Sequence, residues 1–407
     1  MKKAKISLFI MPRSSEAWRG SEALWITVAG WAAAAERKYG KAFILTTDRI
    51  AAPKEVLKYP LGKAPQISKS GSKKLSSFLP TILITLIKDI LLWKSSINRA
   101  HYDYKLPYFE NGVSLVWEQH DFFPGIGYKL AKKHNVPFII YVHAPQVWEA
   151  AKWGVKRPVW GKLLEKMETR SLKRADVVAC VSQQVADKLK RMGIPEKKIL
   201  VSPMAVDAHL FSKANSRHII EDYNLKDKFV LGWTGSFRSF HGLDILLHVF
   251  KKVHESINRS RLVLVGDGFE MENIVKLTND LGIKDAVVFT GRKSFTEIPD
   301  YVDAFDLAIV SARRASDFHY SPLKLREYLG AGKATLAPNA GEIPKMFQDD
   351  IHLKLYNVGD IEGTAQKIIE LYNDQEKRNF IALRGKEYIL KNGTWDVELE
   401  KLMNKTK

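Results

Sequence analysis

Residues 229–244 read FVLGWTGSFRSFHGLD, and this stretch decides the fold. Its start is continuously apolar, which is typical of a strand that is buried on both faces of a parallel sheet. A turn containing a glycine follows, and a helical apolar pattern begins at Leu243. A strand, a tight turn and a helix in this order predict one βα unit of a Rossmann-like domain.

The same pattern recurs on both sides of this stretch. Further buried strands are predicted in the second half at residues 262–265, 286–290, 307–310 and 334–337, and in the first half at residues 6–10, 42–46, 115–117, 138–142, 177–181 and 199–201. Helical periods cover residues 24–39, 125–134, 183–191 and 243–257. The fold class is therefore α/β, with two Rossmann-like, doubly wound parallel-sheet domains.

The length of 407 residues also favours two domains over a single core. We expect an N-terminal domain at 1–206, a C-terminal domain at 207–385, and a helical segment at 386–407 that packs back on the first domain. Residues 51–77 are rich in Lys, Ser, Gly and Pro without a clear period, and they are predicted to form a mobile excursion.

Composition limits the partners and the compartment. The formal net charge of +19 indicates an anionic partner, which can be nucleic acid, an anionic membrane face or a phosphate-bearing substrate. Cys180 is the only cysteine, which excludes an internal disulfide and favours a reducing, cytoplasmic location. The most hydrophobic stretch, residues 80–93, is interrupted by Lys88 and Asp89 and is too short to span a bilayer.

The loop after residues 229–233 carries a first candidate ligand site. Gly235 would let the backbone approach a ligand closely, and a helix is predicted to begin near Gly242. A helix N-terminus with Arg238 and His241 suits a diphosphate. A plain βα turn with a solvated arginine is an equally good interpretation of this loop alone.

Residues 321–328, SPLKLREY, carry a second candidate site. Ser321 is predicted as the N-cap of a helix and Pro322 as its first residue. Lys324 then lies in the first turn, where the helix dipole disfavours a cation, so a bound anion is expected there. Glu327 would accept hydrogen bonds from ribose or sugar hydroxyls. The alternative is an i,i+3 salt bridge between Lys324 and Glu327.

Two weaker candidates lie in the first half. His143 ends a buried strand in YVHAP, where it would bind a sugar hydroxyl or polarise the reacting centre, or would only make a structural hydrogen bond. Gly20 follows the first strand and would let the backbone close over a diphosphate, although many such loops contain glycine for conformational reasons alone.

Together, GSFRSFHGLD, LVLVGDGFE, VVFTG, DLAIVSA and SPLKLREYLGAGK resemble the C-terminal domain of the family 4 retaining glycosyltransferases, which have the GT-B fold. The first half agrees through YVHAP, ADVVACVS and ILVSPMAVDAHLF. This resemblance spans nearly the whole chain. It implies an enzyme of the hexosyltransferase class that moves a sugar from a nucleotide-diphosphate donor to a glycan or lipid-linked acceptor. The N-terminal domain would bind the acceptor and the C-terminal domain the donor.

The resemblance also implies a set of site residues. The donor site would contain Gly20, Gly235, Ser236, Arg238, His241, Arg292, His319, Ser321, Pro322, Leu323, Lys324 and Glu327, and the catalytic residues would be His143, Arg238, Lys324 and Glu327. Arg238 and His241 would neutralise the diphosphate, Arg292 would lie by the base, and the mechanism would be front-face displacement without a metal ion or other cofactor.

Three positions of the predicted donor site depart from the family pattern. His241 replaces the usual lysine, Ser236 the usual arginine after the glycine, and His319 the first of two paired glutamates. These departures leave the donor sugar and the base open.

Positive charge is concentrated in the first half. Between residues 54 and 105 there are ten basic and three acidic residues around the apolar stretch 80–93. A second basic cluster at 152–174 lies beside Trp148, Trp153 and Trp160. This pattern favours peripheral docking on an anionic cytoplasmic leaflet. The alternative is an ordinary core helix with solvated lysines.

Two other functions remain open from sequence: a sugar-nucleotide epimerase of the same fold, and a basic nucleic-acid-binding protein. A dinucleotide oxidoreductase is disfavoured because Met271 replaces the third glycine of the fingerprint that begins at Gly266.

Overall fold

The computed structural model describes residues 5–15, 22–58, 80–99, 112–152, 154–317 and 322–406. The chain divides into two compact units. The first unit comprises Met1–Pro203 together with Glu398–Lys407, and the second comprises Met204–Val397. The acceptor-binding and donor-binding roles expected for the two domains stay predictions.

The first unit is built on a seven-stranded sheet of order β3-β2-β1-β4-β5-β6-β7. Its strands are β1 Lys5–Ile10, β2 Gly40–Leu45, β3 Ile50–Ala51, β4 Val113–Gln119, β5 Phe138–Val142, β6 Val177–Cys180 and β7 Ile199–Val201. Its helices are α1 Glu22–Tyr39, α2 Pro53–Lys58, α3 Thr81–Arg99, α4 Gly127–His134, α5 Gln146–Lys152, α6 Gly161–Lys173 and α7 Gln183–Arg191. The pairing is parallel except for β3, which runs antiparallel to β2. All six strands predicted for this half are confirmed.

The second unit contains a six-stranded parallel sheet of order β10-β9-β8-β11-β12-β13. Its strands are β8 Phe229–Thr234, β9 Ser260–Val265, β10 Val287–Gly291, β11 Leu307–Ile309, β12 Ala334–Pro338 and β13 Lys354–Tyr356. Its helices are α8 Ala208–Phe211, α9 Arg217–Asp222, α10 Leu243–Ser256, α11 Met271–Asp280, α12 Ile298–Asp303, α13 Leu323–Gly330, α14 Ile343–Met346, α15 Ile361–Asn373 and α16 Gln375–Asn392. The chain ends with α17, Trp395–Lys405. The strand order reverses beside β1 in one sheet and beside β8 in the other, and ligands of open α/β sheets bind at the carboxyl ends of strands there.

Alternation along the central strand explains how the second unit buries both faces of its sheet. Leu231 and Trp233 of β8 belong to one buried cluster, with Phe250 of α10. Val230 belongs to the cluster on the other face, with Tyr328 of α13. Successive side chains of a strand point to opposite faces, so a continuously apolar strand needs helices on both sides.

The predicted secondary structure differs from the observed one at two places. The excursion predicted at residues 51–77 is wrong at its start, because Ala51 pairs with β2 and α2 follows. The Glu55 carboxylate accepts a hydrogen bond from the Ala52 amide, and Val56 is buried, which fixes this turn. Residues 59–79 lie outside the described residues. Strand β13 was missed because it begins with Lys354, a charged residue that is buried by pairing with Asp350.

Among the described helices, none has both the length and the apolar character that crossing a membrane requires.

Candidate active site

The carboxyl end of β8 is tied to its neighbours by short hydrogen bonds. The Thr234 amide donates to the Tyr328 hydroxyl at 2.7 Å, and the Thr234 hydroxyl lies 3.0 Å from the same oxygen. The next amide, that of Gly235, donates to the carbonyl of Val265 in β9 at 2.9 Å. These bonds fix the loop after β8 against both α13 and β9, so groups on the loop and on α13 keep a defined geometry.

Lys324 of α13 places an enclosed ammonium beside this loop. Its Nζ has no hydrogen-bond partner and lies 3.9 Å from the centre of the Trp233 ring. Burial lowers the pKa of Lys324 to about 7, and the charge of Glu327 opposes the shift. The hydrogen-bonded salt bridge to Glu327 that the sequence left as the alternative is not formed. A buried cation without a hydrogen-bonded partner is costly unless an anion compensates it.

Gly235 makes room for that ammonium. Its φ is 145°, a conformation that favours glycine, and a Cβ there would lie 2.7 Å from the Lys324 Nζ. Any larger residue would therefore push the ammonium away. The glycine predicted to permit close approach of a ligand also permits the approach of Lys324.

Glu327 lies one turn along α13 and is buried. Burial raises the pKa of its carboxyl to about 7, and the neighbouring charge of Lys324 opposes the shift. Near neutral pH this carboxyl can accept hydrogen bonds when ionised and donate one when protonated. Such a group suits recognition of hydroxyls.

The helices α10 and α13, which follow the two candidate loops, have no side-chain cap among the described residues, a feature that they share with α9, α11, α12 and α14. Gly242 precedes α10 with φ 62°, and Pro322 precedes α13. The prediction of Pro322 as the first helical residue is wrong by one position, because its ψ of 118° is extended and Leu323 begins the helix. Uncapped helix N-termini present free amides and a positive dipole end, which together bind anions.

His241 and Arg238 differ in exposure. The His241 ring is buried edge-on against Trp233, 5.5 Å between ring centres, and its Nδ1 is enclosed without a partner. Burial, with the charges of Lys324 and Arg238, lowers its pKa to about 2. At neutral pH His241 therefore offers a hydrogen-bonding nitrogen and not the positive charge that the resemblance implied. Arg238 is exposed and lines a hollow of about 310 Å³ with Asp244 and Arg313.

The remaining predicted donor residues fall into two groups. Ser236 and Leu323 are partly buried beside Gly235 and at the start of α13, and Arg292 follows β10, where burial lowers the pKa of its guanidinium. Gly20, His319 and Ser321 lie outside the described residues.

His143 of the first unit follows β5, as predicted. Its Nε2 is enclosed without a hydrogen-bond partner, so the alternative of a structural hydrogen bond is not realised at that atom. The ring packs edge-on to Tyr141, 5.3 Å between ring centres. Burial and the neighbouring His120 lower the pKa of His143 to about 4, which keeps the ring neutral.

The sequence reasoning missed a buried polar cluster next to His143. The His120 Nε2 donates to the Glu168 Oε1 at 2.6 Å, and the Gln146 amide donates to the same oxygen at 2.6 Å. Glu118 accepts hydrogen bonds from the amides of Gly125, before α4, and Gly127, its first residue, and burial raises the pKa of Glu118 to about 7. The available signal was EQHD at 118–121, a polar run directly after an apolar strand.

No group of three or more His, Cys, Asp or Glu side chains within the described ranges is arranged to hold a metal ion.

Comparison with known families agrees with this geometry. The model of the family described as "Glycosyl transferases group 1" matches residues 228–374, and that of "Glycosyltransferase Family 4" matches residues 107–210. The two matches together cover more than half of the chain. The chain belongs to the group 1 glycosyltransferases. The family resemblance and the GT-B fold class predicted from the sequence are both confirmed.

Curated relatives of this glycosyltransferase are distant. It is 25% identical to N-acetyl-alpha-D-glucosaminyl L-malate synthase of Bacillus anthracis over 54% of this chain and 56% of that protein. It is 23% identical to the GDP-mannose-dependent alpha-(1-6)-phosphatidylinositol monomannoside mannosyltransferase of Mycobacterium tuberculosis, over 56% of this chain and 60% of that protein. The chain thus spans less than two thirds of the length of these relatives.

Solved structures match along the whole chain. The Anabaena protein HepE in complex with UDP gives a TM-score of 0.63 at 15% identity, with 98% of both chains covered. Sucrose-phosphate synthase from Thermosynechococcus elongatus gives a TM-score of 0.63 at 17% identity, again with 98% of both chains covered. At these identities the likeness supports the fold alone.

Proposed function

We propose that this glycosyltransferase moves a sugar from a nucleoside-diphosphate donor to a hydroxyl of a glycan or lipid-linked acceptor, with retention of configuration and without a metal ion. The observation that carries the proposal is the enclosed, unpaired ammonium of Lys324 beside Gly235 and two uncapped helix N-termini. A diphosphate supplies the negative charge that this arrangement lacks.

In this proposal the second unit stabilises the leaving group. The acceptor oxygen forms a bond to the anomeric carbon on the face from which the diphosphate departs, the bond from that carbon to the phosphate oxygen breaks, and the acceptor proton passes to the departing phosphate. Lys324 and the helix amides stabilise the charge that develops on the diphosphate. Glu327 hydrogen-bonds hydroxyls of the donor, and Arg292 lies by the base.

The first experiment identifies the nucleotide. Thermal shifts are measured with UDP, GDP, ADP and CDP, each in EDTA and in Mg²⁺; the HepE complex with UDP and the GDP-mannose-dependent relative motivate the first two. We expect one diphosphate to raise the melting temperature equally under both conditions. A shift that appears only with Mg²⁺ would contradict metal independence, and no shift with any diphosphate would contradict the donor site.

The second experiment identifies the reaction. The radiolabelled sugar nucleotide of the base found above is incubated with the protein and candidate acceptors, and the linkage formed is determined by NMR. We expect the label in a glycoside with the donor's anomeric configuration. Conversion of the sugar nucleotide into its epimer would support the alternative enzyme, and a shift of random oligonucleotides on a gel at physiological salt would support nucleic-acid binding.

We also propose that the first unit docks on an anionic membrane surface through α3. Seven large apolar side chains of this helix are exposed: Ile82, Leu83, Ile87, Ile90, Leu91, Trp93 and Ile97. Lys88 and Lys94 are exposed among them. Asp89 points inward, where Arg157 donates two hydrogen bonds to it and Trp160 a third, so the helix is held by one face. An exposed apolar stripe with lysines suits a lipid interface.

Flotation with vesicles of phosphatidylethanolamine and phosphatidylglycerol tests this proposal. We expect the protein to float at low salt and the Ile87→Glu/Leu91→Glu variant to remain at the bottom. Phe380→Glu/Leu383→Glu, which alters two exposed apolar residues of α16, is the matched control and should float. Failure of the unmodified protein to float would contradict the proposal.

A further inference from the structure

The first unit contains a buried cluster of His120, His143 and Glu168 whose hydrogen-bonding capacity is only partly used. Glu168 is fully buried, and its Oε2 has no hydrogen-bond partner. The enclosed Nε2 of His143 has none either. Buried polar atoms in native proteins are nearly always paired with protein, water or ligand, so two such atoms in one cluster indicate a place for a water molecule or a ligand hydroxyl.

The other oxygen of Glu168 holds the cluster together. Its Oε1 accepts from the His120 Nε2, which follows β4, and from the Gln146 amide, which begins α5 three residues after His143. Glu168 itself stands on α6. The carboxylate therefore fixes the loops after two adjacent strands. With its Nε2 bonded to Glu168, the His120 ring has one further hydrogen-bonding nitrogen, Nδ1, and no described residue hydrogen-bonds that atom.

We propose that the Glu168–His120 pair binds a hydroxyl of an uncharged sugar, the acceptor. Resting on the proposed glycosyl transfer, this inference names the group that the first unit would recognise. The Oε2 of Glu168 can accept a hydroxyl hydrogen, and the Nδ1 of His120 and the Nε2 of His143 offer two further hydrogen-bonding nitrogens.

The charges around the pair favour a neutral ligand. The carboxyls of Glu118 and Glu149 interact electrostatically with His120, and Glu168 adds a third carboxyl. Of the cations in this region, Arg13 is bonded to Asp121 and Lys152 interacts with Glu149. A carboxylate or phosphate placed here would face like charge, whereas a sugar hydroxyl would not.

Two substitutions keep the internal hydrogen bonds of the pair and change the atoms offered to the ligand. In Glu168→Gln the carbonyl oxygen keeps both internal donors, so the amide nitrogen replaces Oε2 and turns an acceptor into a donor. In His120→Gln the amide nitrogen keeps the bond to Glu168, and the hydrogen-bonding site at Nδ1 is lost. Glu165→Gln is the matched control, because Glu165 lies one turn earlier on α6 and pairs with Lys188.

The experiment measures sugar binding without relying on catalysis. Saturation-transfer NMR is recorded with the methyl α-glycosides of glucose, mannose, galactose and N-acetylglucosamine, and melting temperatures and the UDP-induced thermal shift are measured on the same samples. We expect at least one glycoside to bind the unmodified protein and Glu165→Gln equally, and to bind Glu168→Gln and His120→Gln at least tenfold more weakly. Melting temperatures and nucleotide response should stay unchanged.

The outcomes separate the inference from the proposed function. Glycoside binding that is equal in all variants, that is absent from the unmodified protein, or that falls only in step with the melting temperature overturns the inference. Failure of every nucleoside diphosphate to bind, with glycoside binding lost in the two variants, contradicts the proposed function and leaves the sugar site in place.

Discussion

Lys324 of the second unit has an enclosed ammonium beside the Trp233 ring. A lysine in the first turn of a helix, enclosed against an indole ring and without a hydrogen-bond partner, costs the folded protein free energy. Residues at functional sites often carry such a cost, because the same group is stabilised when its ligand binds. His241 next to it is neutral, so Lys324 is the enclosed positive charge that the donor would meet.

Removing this ammonium should separate binding from stability. In Lys324→Met we expect the thermal shift by the bound nucleoside diphosphate to disappear and turnover to fall by one to two orders of magnitude or more, since one contact to transition-state charge is worth about 2–4 kcal/mol. The free energy of unfolding should not fall. Lys345→Met, at an exposed lysine of α14, is the control and should behave as the unmodified protein. Retained nucleotide binding in Lys324→Met would show that the site is misplaced.

The lowered pKa of Lys324 also predicts how the stability of the protein depends on pH. Its pKa is about 7 in the folded protein and near 10.5 when unfolded, so between these values the unfolded chain holds a proton that the folded chain does not. Stability from this residue therefore rises with pH across that window and is lowest below pH 7. Urea unfolding from pH 6.5 to 9.5 should show Lys324→Met most stabilised relative to the unmodified protein at the acid end. A constant difference would contradict the lowered pKa.

A substitution of His143 should separate activity from stability in the first unit. Phenylalanine keeps the ring and removes the enclosed Nε2 that has no partner, so His143→Phe should leave the melting temperature unchanged or raise it. Transfer to the acceptor should nevertheless fall at least tenfold at saturating donor. Equal loss of melting temperature and activity would indicate a structural histidine.

At the scale of elements, the sequence predicted the strands better than the site. The observed bounds of strands β5 and β7 and helix α7 match the predicted ones. Each of these segments has one uniform hydrophobic pattern and is flanked by turn residues. The pairing of Glu168 with His120, 48 positions apart, could not be read from either neighbourhood, because each residue taken alone is an ordinary polar side chain. The enclosure of His241 was also unpredictable, since it depends on Trp233 and Phe240 packing against the ring.

A substitution in the loop after β8 tests whether the contact between this loop and Lys324 matters for nucleotide binding. Gly235→Ala places a Cβ 2.7 Å from the Lys324 Nζ, whereas Gly282→Ala, at φ 70°, places one in open space. Both should lose about 1–3 kcal/mol of stability, because positive φ disfavours alanine. Only Gly235→Ala should also abolish the nucleotide-induced thermal shift. If both variants bind the nucleotide normally, the contact between the loop and Lys324 has no role in donor binding.

For the whole molecule, the net charge of +19 and the apolar face of α3 would contribute to the proposed membrane binding in different ways. Each lysine or arginine near an anionic surface adds about 1 kcal/mol, and this attraction weakens as salt shortens the screening length from about 10 Å at 0.1 M to about 3 Å at 1 M. Burial of apolar side chains in the interface is much less sensitive to salt.

These two contributions predict a characteristic salt dependence of vesicle binding. Sedimentation with phosphatidylglycerol-containing vesicles should show at least tenfold weaker partitioning of the unmodified protein at 0.5 M than at 0.05 M NaCl, with a residual bound fraction. Ile87→Glu/Leu91→Glu should lose that residual fraction as well, because its remaining attraction is electrostatic. Binding that vanishes completely with salt in the unmodified protein would mean that the apolar side chains of α3 do not enter the lipid, and that charge alone brings the chain to the surface.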